Sequence, residues 1–187
     1  MKKLSIICIL LLSVMSVVFA QAKLPPTDKS PMDMCYYPVN YPILKIQKKV
    51  SEPPVARIVY SRPLRNGRSV YGDLVEYGQV WRLGANEATE IELYQDAKIG
   101  GNKIKKGRYS MFAIPYEDKW TIIFNKDTDV WGAFQYDQKK DVLRVDVTTQ
   151  KQSEAVEAFT IMFDKDNNGI SLVIAWDDIK AMIPFSY

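Results

Sequence analysis

A chain of 187 residues with 25 basic and 22 acidic side chains carries a formal charge of only +3, too little for the electrostatic attraction that holds proteins to nucleic acid. Its 47% hydrophobic and 12% aromatic content sets it apart from disordered chains, and the length suffices to bury a core. Histidine is absent, which excludes Ser-His-Asp and Cys-His nucleophilic catalysis and any zinc site built on imidazole. Chemistry run by carboxylates, lysine, tyrosine or a Ser-Lys pair stays open. Two cysteines are too few for a metal site made of thiolates alone, and no cofactor or metal is expected.

At the start of the chain, Lys2 and Lys3 precede an apolar stretch over residues 4–19 that ends in Val18-Phe19-Ala20. A basic n-region, an apolar h-region and a small-residue cleavage site make residues 1–20 a secretory signal peptide. The protein is therefore expected to be exported, to the periplasm or the extracellular space. A spanning helix needs about 20 apolar residues. No second run of that kind follows, so no transmembrane segment is expected after cleavage. Removal of residues 1–20 takes away Lys2, Lys3 and Cys8 and leaves a charge of +1 with one thiol, Cys35. No intramolecular disulfide can then form, and stability must come from the core.

Residues 21–54 carry prolines at 25, 26, 31, 38, 42, 53 and 54, a density that excludes a long helix and predicts an extended arm. Met32, Met34, Tyr36, Tyr37, Tyr41, Ile43, Leu44 and Ile46 give the arm an apolar side with which to dock, as an edge strand where proline is tolerated. Lys45, Lys48 and Lys49 read as a solvated face. From residue 55 onward, short runs of period two alternate with turn residues, and no amphipathic helix of useful length interrupts them.

Strands are predicted over 55–60 and 88–94, with Thr89, Ile91 and Leu93 on one face of the second. A turn at 100–103 follows, and then a hairpin of 109–114 and 120–124. In 141–147, Leu143, Val145 and Val147 face inward. Residues 158–163 pair with 170–176 across the Asn168-Gly169 turn signal, and a last strand runs near 180–185. The expectation is all-β: residues 55–187 form a single antiparallel β-sandwich domain, with the jelly roll as one form of it, preceded by the proline-rich arm.

Several constellations offer chemistry. Arg57, Arg62, Arg65 and Arg68 surround the turn signals Arg62-Pro63 and Asn66-Gly67 and would bind an anion if they projected together, or pair with local acids such as Asp73 and Glu76 if they did not. In residues 80–89, Trp81 offers a stacking face, Arg82 a planar donor, Asn86 both donors and acceptors, and Glu87 a carboxylate. That mixture suits a sugar or a peptide end. The alternative buries Trp81 and pairs Arg82 with Glu87. Trp131-Gly-Ala-Phe134 follows the polar turn 125–129 and would wall a cleft with Trp81, or else plug the end of the core. Trp120 and Trp176 sit on the apolar parity of their strands.

Two further readings are weaker. A paired-carboxylate hydrolase would use Asp73 or Glu87 with Glu90 or Asp118. Asp164, Asp166, Asn168 and Gly169 match the opening of an EF-hand loop, but Ala175 stands where the closing bidentate glutamate belongs, and a hairpin turn explains the run better.

The stretches Tyr60-Ser-Arg-Pro63, Asn66-Gly-Arg68, Tyr71-Gly-Asp-Leu-Val75, Tyr77-Gly-Gln-Val-Trp-Arg82, Gly84-Ala-Asn-Glu-Ala-Thr-Glu-Ile91, Gly107-Arg-Tyr-Ser110 and Trp131-Gly-Ala-Phe134 resemble a bacterial envelope family catalogued as a domain of unknown function, number twenty-nine-eleven. The resemblance runs from about residue 30 to the end. It implies export to the Gram-negative envelope and an all-β domain, and it assigns no activity and no catalytic residue. The residues point to a non-catalytic module that binds a glycan or peptide through Arg62, Trp81, Arg82, Asn86, Glu87, Asn125 and Trp131. The rival reading is a structural or assembly factor of the envelope whose arm and sheet edge take a protein partner by strand addition.

Overall fold

The computed structural model describes residues 23–166 and 169–187; the segment read as a signal peptide lies outside the described residues. Among the described residues no helix is long and apolar enough to cross a membrane. Nine strands dominate the described residues: β1 (Met32–Tyr37), β2 (Ala56–Ser61), β3 (Thr89–Leu93), β4 (Ala97–Ile99), β5 (Asn102–Ile104), β6 (Gly107–Pro115), β7 (Lys119–Asn125), β8 (Asp141–Asp166) and β9 (Gly169–Ser186). Every pairing between them is antiparallel, in the order β1-β2-β3-β6-β7-β8-β9-β4-β5.

The all-β expectation holds, and the two layers of the sandwich are halves of one sheet. The strand that joins them is β8, whose 26 residues far exceed the usual five or six. Its first part pairs with β7 as far as Thr148, and from Thr149 it pairs with β9. Register shifts between Lys151 and Val156, and again between Val156 and Thr160, break the ladder where one layer gives way to the other. Bulges bend and twist a strand, which lets one strand serve both layers.

Alternating side chains from the two halves meet in one cluster. Ile58, Ile91, Met111, Trp120, Ile122 and Phe124 come from the first layer, and Phe159, Ile161, Phe163, Leu172, Ile174, Trp176 and Ile183 from the second. The inward parity expected of Thr89, Ile91 and Leu93 is observed, as it is for Val145 and Val147. Leu143 packs against the same cluster while only partly buried. On the outer face of the first layer a small second cluster of Ala88, Phe112 and Ile123 lies with Val130, Ala133 and Tyr136 from the loop between β7 and β8.

The arm docks as an edge strand, β1 running antiparallel to β2 with Met32 opposite Ser61. It is not extended throughout, because a short helix, α1 (Tyr41–Ile46), follows β1. Pro42 falls in the first turn, where its missing N–H costs no hydrogen bond and its fixed φ suits the helix.

Cys35 sits on β1 and packs against the core, and burial, reinforced by the Asp33 charge, pushes its thiol up to about 12 from an ordinary 9.0. The native thiol is thus protonated at pH 8 and a poor nucleophile. Alkylation mapped by mass spectrometry should label the half-buried Cys35 much more slowly in the folded protein at pH 8 than in denaturant; equal rates in both states would contradict the raised pKa. Because the folded value is raised, this group stabilises the fold below pH 9.0, and its contribution is lost as the pH rises from 9.0 toward 12.

Candidate functional site

The arginines around the 62–68 turn do not converge. Arg57 pairs with Glu92 on the neighbouring strand at 2.6 Å. Arg62 bonds Asp33 at 3.1 Å, the Phe159 carbonyl at 3.1 Å and Thr160 Oγ1 at 2.9 Å, which fastens the end of β2 to the arm and to β8. Arg65 pairs with Asp177 at 3.0 Å, and Arg68 donates to the carbonyls of Leu64 and Arg65. Each guanidinium has a structural partner, so Arg62 belongs to the frame and not to an anion site.

The residues of the 80–89 segment part company in a similar way. The backbone of Trp81 exchanges two hydrogen bonds with Ala113 of β6. Its ring is buried among Tyr71, Trp120, Phe159 and Trp176, stacked on the last at 6.0 Å, and its indole N–H donates to the Gly84 carbonyl at 3.2 Å. Trp81 therefore offers no stacking face, and the aromatic-walled cleft with Trp131 does not exist. Asn125 is also interior, 1% exposed. Its side-chain amide donates to the Asp137 carbonyl and to Asp141, and its Oδ1 accepts the Asp127 amide, which holds the β7–β8 loop in place.

Arg82, Asn86, Glu87 and Trp131 do come together, where residues 82–88 meet residues 130–132. The amide of Gly132 donates to the Asn86 carbonyl, Glu87 bridges Trp131, and Ala88 donates to the Val130 carbonyl. Arg82 and Glu87 form no ion pair among the described residues. Trp131 is 59% and Phe134 80% exposed, so these aromatics do not plug the core.

The hydrolase and calcium readings fare worse. Glu90 is held by Arg108 at 2.6 Å and by the Asp129 amide at 2.6 Å, which leaves its carboxylate occupied. Ala175 pairs with Thr160 inside the β8–β9 ladder, so the residues after Gly169 continue a strand instead of closing a calcium loop. Among the described residues no group of three potential metal-ligating side chains is assembled.

A larger feature lies elsewhere. Between the 65–77 loop, the β6–β7 turn and the bulged middle of β8 and β9 runs an open groove of about 940 Å³. Arg65, Tyr71, Tyr77, Asp118, Gln152 and Asp177 are among its walls. The loop is fixed to the second layer by Arg65 and Asn66, whose amides donate to the carbonyl and the side chain of Glu157, and by the Val70 amide, which donates to Asp177. Asp177 is buried in the middle of β9 at φ +52, opposite the bulge at Val156. That left-handed conformation is rare in a strand and is tolerated by aspartate better than by most residues.

Tyr71 is anchored from below, its ring 5.2 Å from that of Trp120 and 6.3 Å from that of Trp81. Its hydroxyl, shut off from solvent, has no partner among the described residues, and neither has the equally buried Gln152 side-chain nitrogen. Burial, with the Asp177 and Asp178 charges added, holds the Tyr71 hydroxyl protonated well above the usual tyrosine range. Buried polar atoms are nearly always satisfied, so two orphans on one groove mark a place where hydrogen bonds remain to be made. The sequence signal for this site is faint: Asp177-Asp178 interrupts the apolar run of β9, the stretch Tyr71-Gly-Asp-Leu-Val75 gives no sign of what Tyr71 does, and Gln152 belongs to no local motif.

A family model described as "Protein of unknown function (DUF2911)" matches residues 42–185. No curated protein matches the chain, and no solved structure does.

Proposed function

The chain belongs to the DUF2911 family, described only as of unknown function, and from its own surface we propose an exported, non-catalytic module that binds a hydroxyl-rich ligand of the glycan class in the groove beside Tyr71. The observation that carries this reading is the pair of unpartnered polar atoms, Tyr71 Oη and Gln152 Nε2, buried within two wall residues of a groove whose other groups include acids, hydroxyls and an exposed tyrosine ring, so that a ligand settling into the groove would have to part its walls slightly to reach them. Sugar hydroxyls donate to carboxylates and accept from amides and phenols, while a ring such as Tyr77 covers an apolar sugar face. The groove is of the size that small-ligand sites occupy. Export rests on the basic and apolar segments at residues 1–20.

Tyr71→Phe tests the site sharply, because it removes only the orphaned hydroxyl. A buried hydroxyl without a partner costs about 1–3 kcal/mol, so the variant should be as stable as the wild type or more so. Its affinity for a glycan that raises the unfolding midpoint of the wild type should fall about tenfold, the effect of one lost hydrogen bond of about 1.4 kcal/mol. A panel of glycans and peptidoglycan fragments that leaves the midpoint unmoved, or a Tyr71→Phe protein that binds as tightly as wild type, would sink the reading.

An envelope assembly factor acting through the arm is the second reading. Met32 and Met34, each about half exposed beside the free edge of β1, favour it. Asp33 Oδ1 weighs against it by accepting the Met34 amide at 2.8 Å, which blocks one of the donors that an added strand would use.

A further inference from the structure

Seven arginines lie in the chain, and six of them have a protein partner. Arg57, Arg62, Arg65, Arg108 and Arg144 form ion pairs, and Arg68 bonds backbone carbonyls. Among the described residues Arg82 is the one arginine with neither an ion pair nor a side-chain hydrogen bond, and its Nε is shut off from solvent without an acceptor. Burial lowers its pKa, with no carboxylate to offset the effect. An ionised guanidinium without a counter-charge in a half-buried place is expensive, and an anion bound at its Nη atoms, which are not enclosed as Nε is, lowers the cost.

The surroundings of Arg82 say what kind of anion. A methyl group at Gly132 would stand 2.8 Å from Phe134 Cε2 and 3.5 Å from Arg82 Nη1, so the ring and the guanidinium lean over the same glycine. The ring of Phe134 is 80% exposed and the Trp131 side chain, three residues before it on the same loop, is 59% exposed. Asn86, whose carbonyl accepts the Gly132 amide at 2.9 Å, and the Glu87–Trp131 bridge lock the two loops to each other.

We propose that Arg82, with Phe134 and Trp131 beside it, forms a second site, separate from the groove, for a carboxylate carried on an apolar or aromatic group. The guanidinium takes the carboxylate through parallel N–H donors, and the aromatic side chains cover the apolar part of the ligand. Glu87, exposed on the same loop and without an ion pair among the described residues, disfavours a doubly charged anion.

The test is a titration of the 15N-labelled protein, reading the arginine Nε–H resonances and, for the Arg82 variants, the backbone amides of residues 130–134, with N-acetyl-phenylalanine, its primary amide and inorganic phosphate as the probes. The acid should shift the Arg82 resonance, while the amide and phosphate should each bind at least about tenfold more weakly, the difference that one charge-assisted hydrogen bond of about 1.5–3 kcal/mol makes. Arg82→Gln should abolish binding of the acid, and Arg82→Lys should recover little of it, since a point charge lacks the fork. Phe134→Ala, at a position too exposed to affect folding, should weaken the acid severalfold and serves as the test if Arg82→Gln does not fold. Absence of any shift with the acid, equal binding of acid and amide, phosphate binding as tightly as the acid, or an unchanged affinity in Phe134→Ala would each overturn the proposal. None of these outcomes bears on the groove at Tyr71.

Discussion

Replacing Trp81 with alanine is expected to lower the unfolding free energy by about 3–5 kcal/mol, the range for deleting a large aromatic side chain from a packed core. The indole is the hub of the aromatic cluster, in contact with Tyr71, Trp120, Phe159 and Trp176, and these four come from a loop, from the first layer and from the second. Removing it opens a cavity between the layers, and it frees Tyr71, whose ring packs on Trp81 as it holds the groove wall. Urea denaturation measures the loss. Trp131→Ala, at a side chain 59% exposed, should stay within about 0.5 kcal/mol of wild type in the same experiment. A loss below about 1 kcal/mol for Trp81→Ala would mean that the indole is not a core element, and a ligand-facing role would return.

The contrast between those two tryptophans shows what a sequence of this kind can and cannot convey. Strand parity was legible wherever one face is buried, because the period of two is imposed by the pleat: Ile91 and Leu93, Ile122 and Phe124, Phe159 and Ile161 all point inward as their spacing predicts. The continuity of β8 was not legible, since residues 148–157 are almost wholly polar and bulged, and a strand without a buried face leaves no hydrophobic period to detect. Helix α1 was missed because the proline that excludes a helix interior is at home in a first turn. The partners of the arginines are the clearest limit. Asp33 for Arg62 and Asp177 for Arg65 lie far away in the chain, while the acids nearest in sequence, Asp73 and Glu76, take no part. Of the candidate site, the loop of Arg82, Asn86 and Glu87 facing Trp131 could be read from glycine-punctuated polar runs. The groove could not, because the 65–77 loop, the β6–β7 turn, β8 and β9 each supply only a residue or a few to it.

Asp177→Ala is the substitution expected to damage both fold and groove, at a cost of about 2–5 kcal/mol. Two effects add. Alanine at φ +52 meets the left-handed penalty of about 1–2 kcal/mol, and the buried Val70 amide loses its acceptor, worth about 1–3 kcal/mol. The ion pair with Arg65 counts for little, because a third of the Arg65 side chain is exposed. Two companion variants separate the terms. Asp177→Asn keeps an acceptor for Val70 and tolerates the left-handed backbone, so it should remain within about 1 kcal/mol of wild type. Asp177→Gly relieves the backbone but not the amide, and should fall between the other two. Equal stabilities for the alanine and asparagine proteins would refute this account of Asp177. The conformation lies opposite the Val156 bulge and is held from one side by Arg65 and Val70, so the backbone strain is imposed by the same loop that forms the groove wall. Glycan affinity should accordingly follow the order of stabilities, wild type and asparagine above glycine above alanine, because what fixes the backbone at Asp177 also fixes the distance between Tyr71 and Gln152 across the groove.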